Sequence, residues 1–230
     1  MNPFKELTKF EWCLWLGSLL TILITCLLSP AIDPAVLCAL LIGATALIFV
    51  SKGHPLGQIL TVLFALVYAW ISLQNRYYGE MITYLGMTGP IAVAAVITWI
   101  KNPAKQGSAE VKVSSLSRKL KIWLVLLTVL VTVFFYFVLK ALDTPNLFWS
   151  TVSIATSFSA SYLTVFRSPY YALAYAANDV VLIILWICAG LSDPSFFPMV
   201  ICFLIFLIND SYGFFNWQRM RRKQQSEIKE

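Results

Sequence analysis

Eight apolar stretches, each long enough to cross a bilayer, follow one another through 230 residues and leave almost no chain outside them. They read as Trp12–Leu28, Pro34–Val50, Pro55–Gln74, Met81–Ile100, Leu120–Leu142, Leu147–Phe166, Pro169–Leu191 and Ser195–Trp217. About 20 residues rising 1.5 Å each cover the ~30 Å of a hydrocarbon layer. Only 12% of the residues are charged, about half of what a soluble domain carries. Barrel strands alternate apolar with polar positions, whereas these runs are continuous. The sequence therefore predicts an all-α integral membrane protein with eight transmembrane helices. It leaves no soluble domain for catalysis or nucleic-acid binding, so the work of the chain falls between its helices.

The basic residues set an orientation. With both termini in the cytoplasm, every Lys and Arg except Arg76 and Lys140 falls in an inside segment, while Asp33, Glu80, Asp143 and Asp193 mark the outer connections. That bias is the positive-inside pattern. It accounts for the net charge of +6 through the bilayer and its anionic headgroups, with no nucleic-acid partner. The first span is longer than a signal-peptide core and no small-x-small cleavage site follows it, so it is expected to be retained. Cys13, Cys26, Cys38, Cys188 and Cys202 all lie inside spans without CxxC spacing and read as small apolar fillers. His54 is the only histidine and sits at a span boundary. No metal, cofactor or histidine-based catalysis is expected.

The longest connection, Lys101–Lys119, divides the chain in two, and a weak repeat lies around it. Spans two to four and six to eight share an outer start near an aspartate and a proline (Asp33-Pro34; Asp143-Thr144-Pro145). Both units have a basic residue and a proline between their first and second helices (Lys52 and Pro55; Arg167 and Pro169), and both place Met and Trp 18 apart in the last (Met81 and Trp99; Met199 and Trp217). An odd number of helices followed by one linker helix makes both units run in the same direction, a parallel repeat with its binding site near the midplane. The expected organisation is a peripheral N-terminal helix (1–29), a first three-helix unit (30–101), a loop and linker helix (102–143), a second unit (144–217) and a short, poorly ordered basic tail (218–230).

Polar residues inside the spans point to a site. Asn178-Asp179 and Asn209-Asp210 put two carboxylates deep in apolar helices, where a charged Asp costs roughly 2.5–3.5 kcal/mol on insertion scales. Such residues face a bundle interior, where they either hold a ligand or join helices. Asn209, Tyr212 and Asn216 share one helical face, and Asp210, Gly213 and Trp217 form the adjacent stripe. Tyr175, Asn178, Asp179 and Trp186 extend around the seventh span. The third span ends in Trp70 and Gln74, one turn apart. The fourth carries Tyr84 and Thr88, loosened by Gly86, Gly89 and Pro90, because an interior proline removes a backbone bond and bends a helix. The serines and threonines of the sixth span read as close packing. Aromatic faces with Asn and Gln suit a small, flat, hydroxylated and even cationic molecule such as a nucleoside. The Trp and Tyr near span ends also fit an interfacial belt.

The stretch Arg167-Ser168-Pro169-Tyr170-Tyr171, then Asn178-Asp179 and Trp186, and the ending Asn209-Asp210-Ser211-Tyr212-Gly213-Phe214-Phe215-Asn216-Trp217 resemble the PnuC family of bacterial vitamin transporters. The resemblance covers roughly residues 30–217. It implies a 3+1+3 helical core similar to SWEET transporters with an extra N-terminal helix, in some members a homotrimer, in the bacterial inner membrane. It also implies facilitated diffusion of nicotinamide riboside, with a cytoplasmic riboside kinase trapping the substrate. Many relatives carry a tryptophan where this chain has Tyr175, which keeps a stacking ring but loosens the assignment of the vitamin.

The expected substrate-binding set is Gln74, Tyr84, Thr88, Tyr175, Asn178, Asp179, Trp186, Asn209, Tyr212, Asn216 and Trp217. Two other readings stay open. One is proton coupling through Asp179 or Asp210 to carry thiamine, riboflavin or a deoxynucleoside. The other is a membrane-embedded enzyme using the two aspartates as acid and base, although no nucleophile accompanies them.

Overall fold

The computed structural model describes residues 3–28, 34–74, 78–192, 194 and 197–227. Asp33, Arg76 and Asp193, assigned above to the outer connections, lie outside the described residues. The helices are α1 (Lys9–Leu27), α2 (Pro34–Ser51), α3 (Pro55–Gln74), α4 (Tyr78–Thr83), a π-helical turn (Tyr84–Thr88), α5 (Gly89–Ile100), α6 (Arg118–Ala141), α7 (Leu147–Val165), α8 (Tyr171–Ser192) and α9 (Phe197–Glu227). Among the described residues there is no strand, only one isolated bridge between Pro103 and Val111.

Seven described segments are long and apolar enough to cross a membrane. The remaining expected span, the sixth, is α7, which reaches the length but not the hydropathy, because serines and threonines dilute its apolar surface. Their hydroxyls are turned back onto the helix itself: Thr151 donates to Leu147 O at 2.7 Å, Ser159 to Ala155 O at 2.7 Å and Thr164 to Ala160 O at 2.9 Å. This back-bonding hides the polarity and lets the helix pack inside the bundle. Outward faces are strongly apolar. On α6, Val125, Leu130, Phe134 and Phe137 are each at least 60% exposed, a surface suited to hydrocarbon rather than water.

Six helices close a ring: α2 packs on α3, α3 on α5, α5 on α7, α7 on α8, α8 on α9, and α9 back on α2. The other two spans are peripheral. Helix α1 lies against α2 and α9, and α6 lies against α7. Docking of α1 uses an unusual buried carboxylate. Thr8 and Glu11 form a capping box, in which Glu11 Oε2 accepts the Thr8 N–H at 2.6 Å. The same carboxylate accepts from Tyr212 Oη of α9 at 2.7 Å and pairs with Lys52 Nζ at 3.3 Å. Glu11 is 1% exposed, so this cluster joins three elements of the bundle at one buried charge.

At one end of the ring the α2–α3 and α7–α8 corners are built alike. Gly53 (φ 65°) and Arg167 (φ 56°) each take the left-handed conformation two residues before a proline. Gly53 N–H donates to Val50 O and His54 N–H to Phe49 O; Arg167 N–H donates to Thr164 O and Ser168 N–H to Leu163 O. Both are the paired closing bonds of a left-handed helix terminus. The segment 101–117 crosses this loop end, with Val111 N–H donating to Gly53 O and Ser114 N–H to Arg167 O. At the α2–α3 corner, burial lowers the pKa of His54 below the ordinary imidazole value, and its Nδ1 accepts the Leu56 N–H at 3.0 Å.

Contrary to the expectation of a disordered tail, residues 218–227 continue α9. Met220 is buried, and Gln224 donates to Glu110 Oε1 at 2.7 Å while accepting the Val113 N–H at 2.9 Å. Contact with the 101–117 segment supplies the order that composition did not suggest.

Candidate functional site

The ring encloses a cavity of about 180 Å³. That is more than ten times the ~10–15 Å³ that one water requires. It runs from Gly79, Thr144 and Met199 towards Val50, Gln58 and Tyr175 near the loop end. At the loop end, Trp99, Tyr171 and Trp217 form a buried aromatic plug with Val111 and Met220.

The fourth span positions two lining groups by breaking its own regularity. In a regular helix the Pro90 ring would collide with the carbonyl four residues back, and proline has no N–H to give it. The chain answers with the π-turn Tyr84–Thr88, closed by Gly89 N–H donating to Tyr84 O. Such single-turn widenings recur at functional sites, and here Tyr84 and Thr88 both reach the cavity. A Cβ at Gly89 would stand 3.0 Å from Tyr84 O, whereas one at Gly86 would meet nothing within 4 Å. Gly86→Ala is therefore expected to be neutral or to stabilise by about 0.5–1 kcal/mol. Gly89→Ala should cost about 1 kcal/mol and displace Tyr84. Thermal unfolding of the two purified variants checks both expectations.

Helix α8 supplies Tyr175, Asn178 and Asp179. Thr156 Oγ1 of α7 donates to Asn178 Oδ1 at 2.8 Å, which fixes the amide and leaves its nitrogen as the group available to a ligand. Tyr175 Oη and Ser161 Oγ are 3.1 Å apart, and the Tyr171 ring meets Tyr175 edge-on at 6.2 Å. Asp179 of α8 and Asp210 of α9, each 4% exposed, stand as neighbouring carboxyl groups on the cavity wall. Asp179 Oδ2 meets no donor among the described residues. Aromatic walls face the acid pair: Phe64, Tyr68 and Tyr84 form a cluster with centroids 4.5–5.9 Å apart, and Phe203 and Phe206 lie 5.7 Å apart on α9.

Of the residues expected to bind substrate, the structure brings Tyr84, Thr88, Tyr175, Asn178 and Asp179 to the cavity, together with Asp210. The others lie elsewhere. Asn209 Nδ2 donates to Ser18 Oγ of α1 at 2.9 Å and to Ile205 O at 2.9 Å. Tyr212 donates to Glu11, Asn216 Nδ2 to Ser51 O at 2.9 Å, and Trp217 Nε1 to Val50 O at 2.9 Å. That stripe of α9 faces α1 and the end of α2, one helical step around from the cavity. Gln74 is exposed at the end of α3, and the half-buried Trp186 does not border the cavity. Sequence reasoning missed Gln58, Thr61, Phe64 and Tyr68 of α3, which all line it. The signal was present: Gln58, Thr61 and Tyr68 recur at i, i+3 and i+10, a polar seam on an otherwise apolar helix.

Residues 33–219 match the family described as "Nicotinamide mononucleotide transporter". A nicotinamide riboside transporter PnuC of Neisseria mucosa is 23% identical over 189 residues, covering 80% of this chain and 72% of that protein. The PnuC of Haemophilus influenzae is 22% identical over 182 residues, covering 79% and 77%. A crystal structure of the vitamin B3 transporter PnuC superposes with a TM-score of 0.80 at 22% identity, covering 95% of this chain and 94% of the other. The fold is thus shared along almost its whole length. With 187 consecutive residues of a multi-pass helical membrane protein matched to it, the chain belongs to the nicotinamide mononucleotide transporter family.

Proposed function

We propose that this protein carries nicotinamide riboside, or a closely related nucleoside-like vitamin, across the bacterial inner membrane by facilitated diffusion. The observation that carries the reading is the charge of the cavity. Its lining holds Asp179 and Asp210 and, among the described residues, no lysine, arginine or histidine. A phosphate would find no cation there and would sit beside two carboxyls, so the unphosphorylated riboside fits better than the mononucleotide. The pyridinium ring of the riboside is cationic and planar, matching both the acid pair and the walls of Phe64, Tyr68 and Tyr84. The Asn178 amide and the carboxyl pair suit ribose hydroxyls.

The crossed and matching corners at the loop end support reading 30–101 and 144–217 as two parallel three-helix units, with both termini cytoplasmic. Release would then be followed by phosphorylation by a cytoplasmic riboside kinase, which keeps the gradient inward.

Proteoliposome uptake tests the reading. Labelled nicotinamide riboside should enter saturably, equalise across the membrane and be recovered unmodified. The mononucleotide should enter at least ~10-fold more slowly, since burying like charges together costs several kcal/mol. Absence of riboside uptake by folded protein would overturn the assignment. The acid pair favours one second reading, proton coupling. An imposed pH gradient should leave uptake unchanged under facilitated diffusion. Uphill accumulation that disappears in Asp179→Asn or Asp210→Asn would establish coupling instead, because Asn cannot gain and lose a proton.

A further inference from the structure

The two matching corners differ in how their cations are neutralised. At the α2–α3 corner Lys52 donates to Glu6 O at 2.9 Å and pairs with Glu11 at 3.3 Å, both brought by the N-terminal segment. At the α7–α8 corner the cation is Arg167, and no acceptor among the described residues meets its guanidinium. Nε and Nη1 are enclosed without a partner, although the residue as a whole stays partly exposed. Burial lowers the pKa of this guanidinium below its ordinary value, and no carboxylate acts to raise it. Arg167 also holds a left-handed backbone (φ 56°) where the first corner has Gly53 (φ 65°). Glycine takes that conformation without steric cost, so the turn by itself asks for no side chain here. An enclosed cation without a counter-charge is costly. Its presence at a strained position is explained by an anion that completes it.

What packs beside this corner is basic. Arg167 O accepts the Ser114 N–H at 2.9 Å, and four residues further on α6 opens with Arg118, Lys119 and Lys121, all exposed. Tyr162 Oη of α7 donates to Leu120 O at 3.0 Å, which holds that first turn against the end of α7. Glu110, the one carboxylate between residues 101 and 117, is engaged by Gln224. Helix α1 thus brings a carboxylate to the first corner, whereas α6 brings only cations to the second. The surroundings favour a lipid over a soluble anion. Beyond its charged first turn α6 presents Ile122, Leu126, Val129 and Val133, each at least half exposed, as one apolar stripe. Trp123 on α6 and Tyr170 just before α8 are exposed too, as aromatics at headgroup depth are.

We propose that Arg167 holds the phosphate of an anionic phospholipid at the corner between α7 and α8, with the acyl chains lying along the exposed face of α6. A planar guanidinium offers several donors to phosphate oxygens, and the first turn of α6 adds positive charge around them. The headgroup then closes the second corner as Glu11 closes the first. This site does not depend on which molecule the protein transports.

The purified full chain in neutral detergent, titrated with phosphatidylglycerol or phosphatidylcholine and followed by native mass spectrometry, tests the site. Wild type should prefer phosphatidylglycerol, because the choline cation of the other lipid faces the same basic turn. Arg167→Gln keeps a side chain at the left-handed position and removes the charge. It should weaken phosphatidylglycerol binding by about 10- to 100-fold, the range for a hydrogen bond to a charged group. Lys119→Gln, which removes an exposed cation nearby, should cost no more than about 5-fold. Arg167→Lys should fall between wild type and Arg167→Gln, and it carries the test if the Gln variant does not fold. Equal losses in the Arg167 and Lys119 variants, or no preference between the lipids, overturn the site in favour of a diffuse basic surface. A third arm adds inorganic phosphate to lipid-free protein and follows thermal unfolding. A stabilisation that requires Arg167, and to which phosphatidylglycerol adds nothing, assigns the arginine to a soluble anion and overturns the lipid.

Discussion

Gly57→Ala is expected to destabilise the bundle by about 3 kcal/mol, at the upper end for overpacking. A Cβ there would lie 2.4 Å from Val50 N, 2.6 Å from Val50 Cγ2 and 2.9 Å from Ala46 O. Two of those three atoms belong to the backbone of α2, so no side-chain rotation relieves the clash and the two helices must separate. For a chain of this length, that shift lowers the unfolding midpoint by roughly 6–12 °C. Gly17→Ala on α1, where a Cβ meets nothing within 4 Å, is the control. The consequence extends to function, because α3 carries Gln58, Thr61, Phe64 and Tyr68 of the cavity wall. Riboside affinity should fall together with stability. A Gly57→Ala midpoint within about 1–2 °C of wild type would show that the α2–α3 contact has slack the structure does not suggest.

The helical architecture was legible because hydrocarbon imposes length and continuity on each span. The ends of α2, α3 and α6 fall within two residues of those read from the sequence. The weakened fourth span was legible too, since Gly86, Gly89 and Pro90 announce a break, although nothing in them specifies a π-turn. The residues that border the cavity were legible on α8 and, on α9, only at Asp210, and the difference is physical. Asn178 and Asp179 have one buried polar environment to face, the cavity. On α9 two polar stripes lie side by side, and periodicity groups Asn209, Tyr212 and Asn216 without saying what they face. Helix α1 decides it, by presenting Ser18 and Glu11 to Asn209 and Tyr212. A contact 191 or 201 residues apart in sequence leaves no local trace. The omission of Gln58 has another cause: one amide in an apolar run reads as tolerated noise until its neighbours across the ring are known.

Trp99→Ala and Trp217→Ala should each cost about 3–5 kcal/mol, the range for removing a large buried aromatic. The two indoles are 1% and 0% exposed, and their rings meet at 5.4 Å. Their hydrogen bonds cross between the halves of the chain. Trp99 Nε1 of α5 donates to Thr164 O at the end of α7, and Trp217 Nε1 of α9 donates to Val50 O at the end of α2, both at 2.9 Å. Each accepting carbonyl lies three residues before a left-handed corner and also accepts the corner residue's own N–H, so either truncation removes one of its two donors at the point where its helix terminates. Matching roles predict matching losses. Because the rings touch, the double variant should cost less than the sum by about 0.5–3 kcal/mol. Trp→Phe at either position separates the two contributions: it keeps most of the ring contact, loses the indole donor and should cost about 1–3 kcal/mol. Denaturant unfolding of the four alanine-cycle proteins measures the coupling. Strict additivity, or a loss confined to one of the two tryptophans, would show that the halves are not held through this pair and that the plug beneath the cavity is secured by Tyr171, Val111 and Met220 instead.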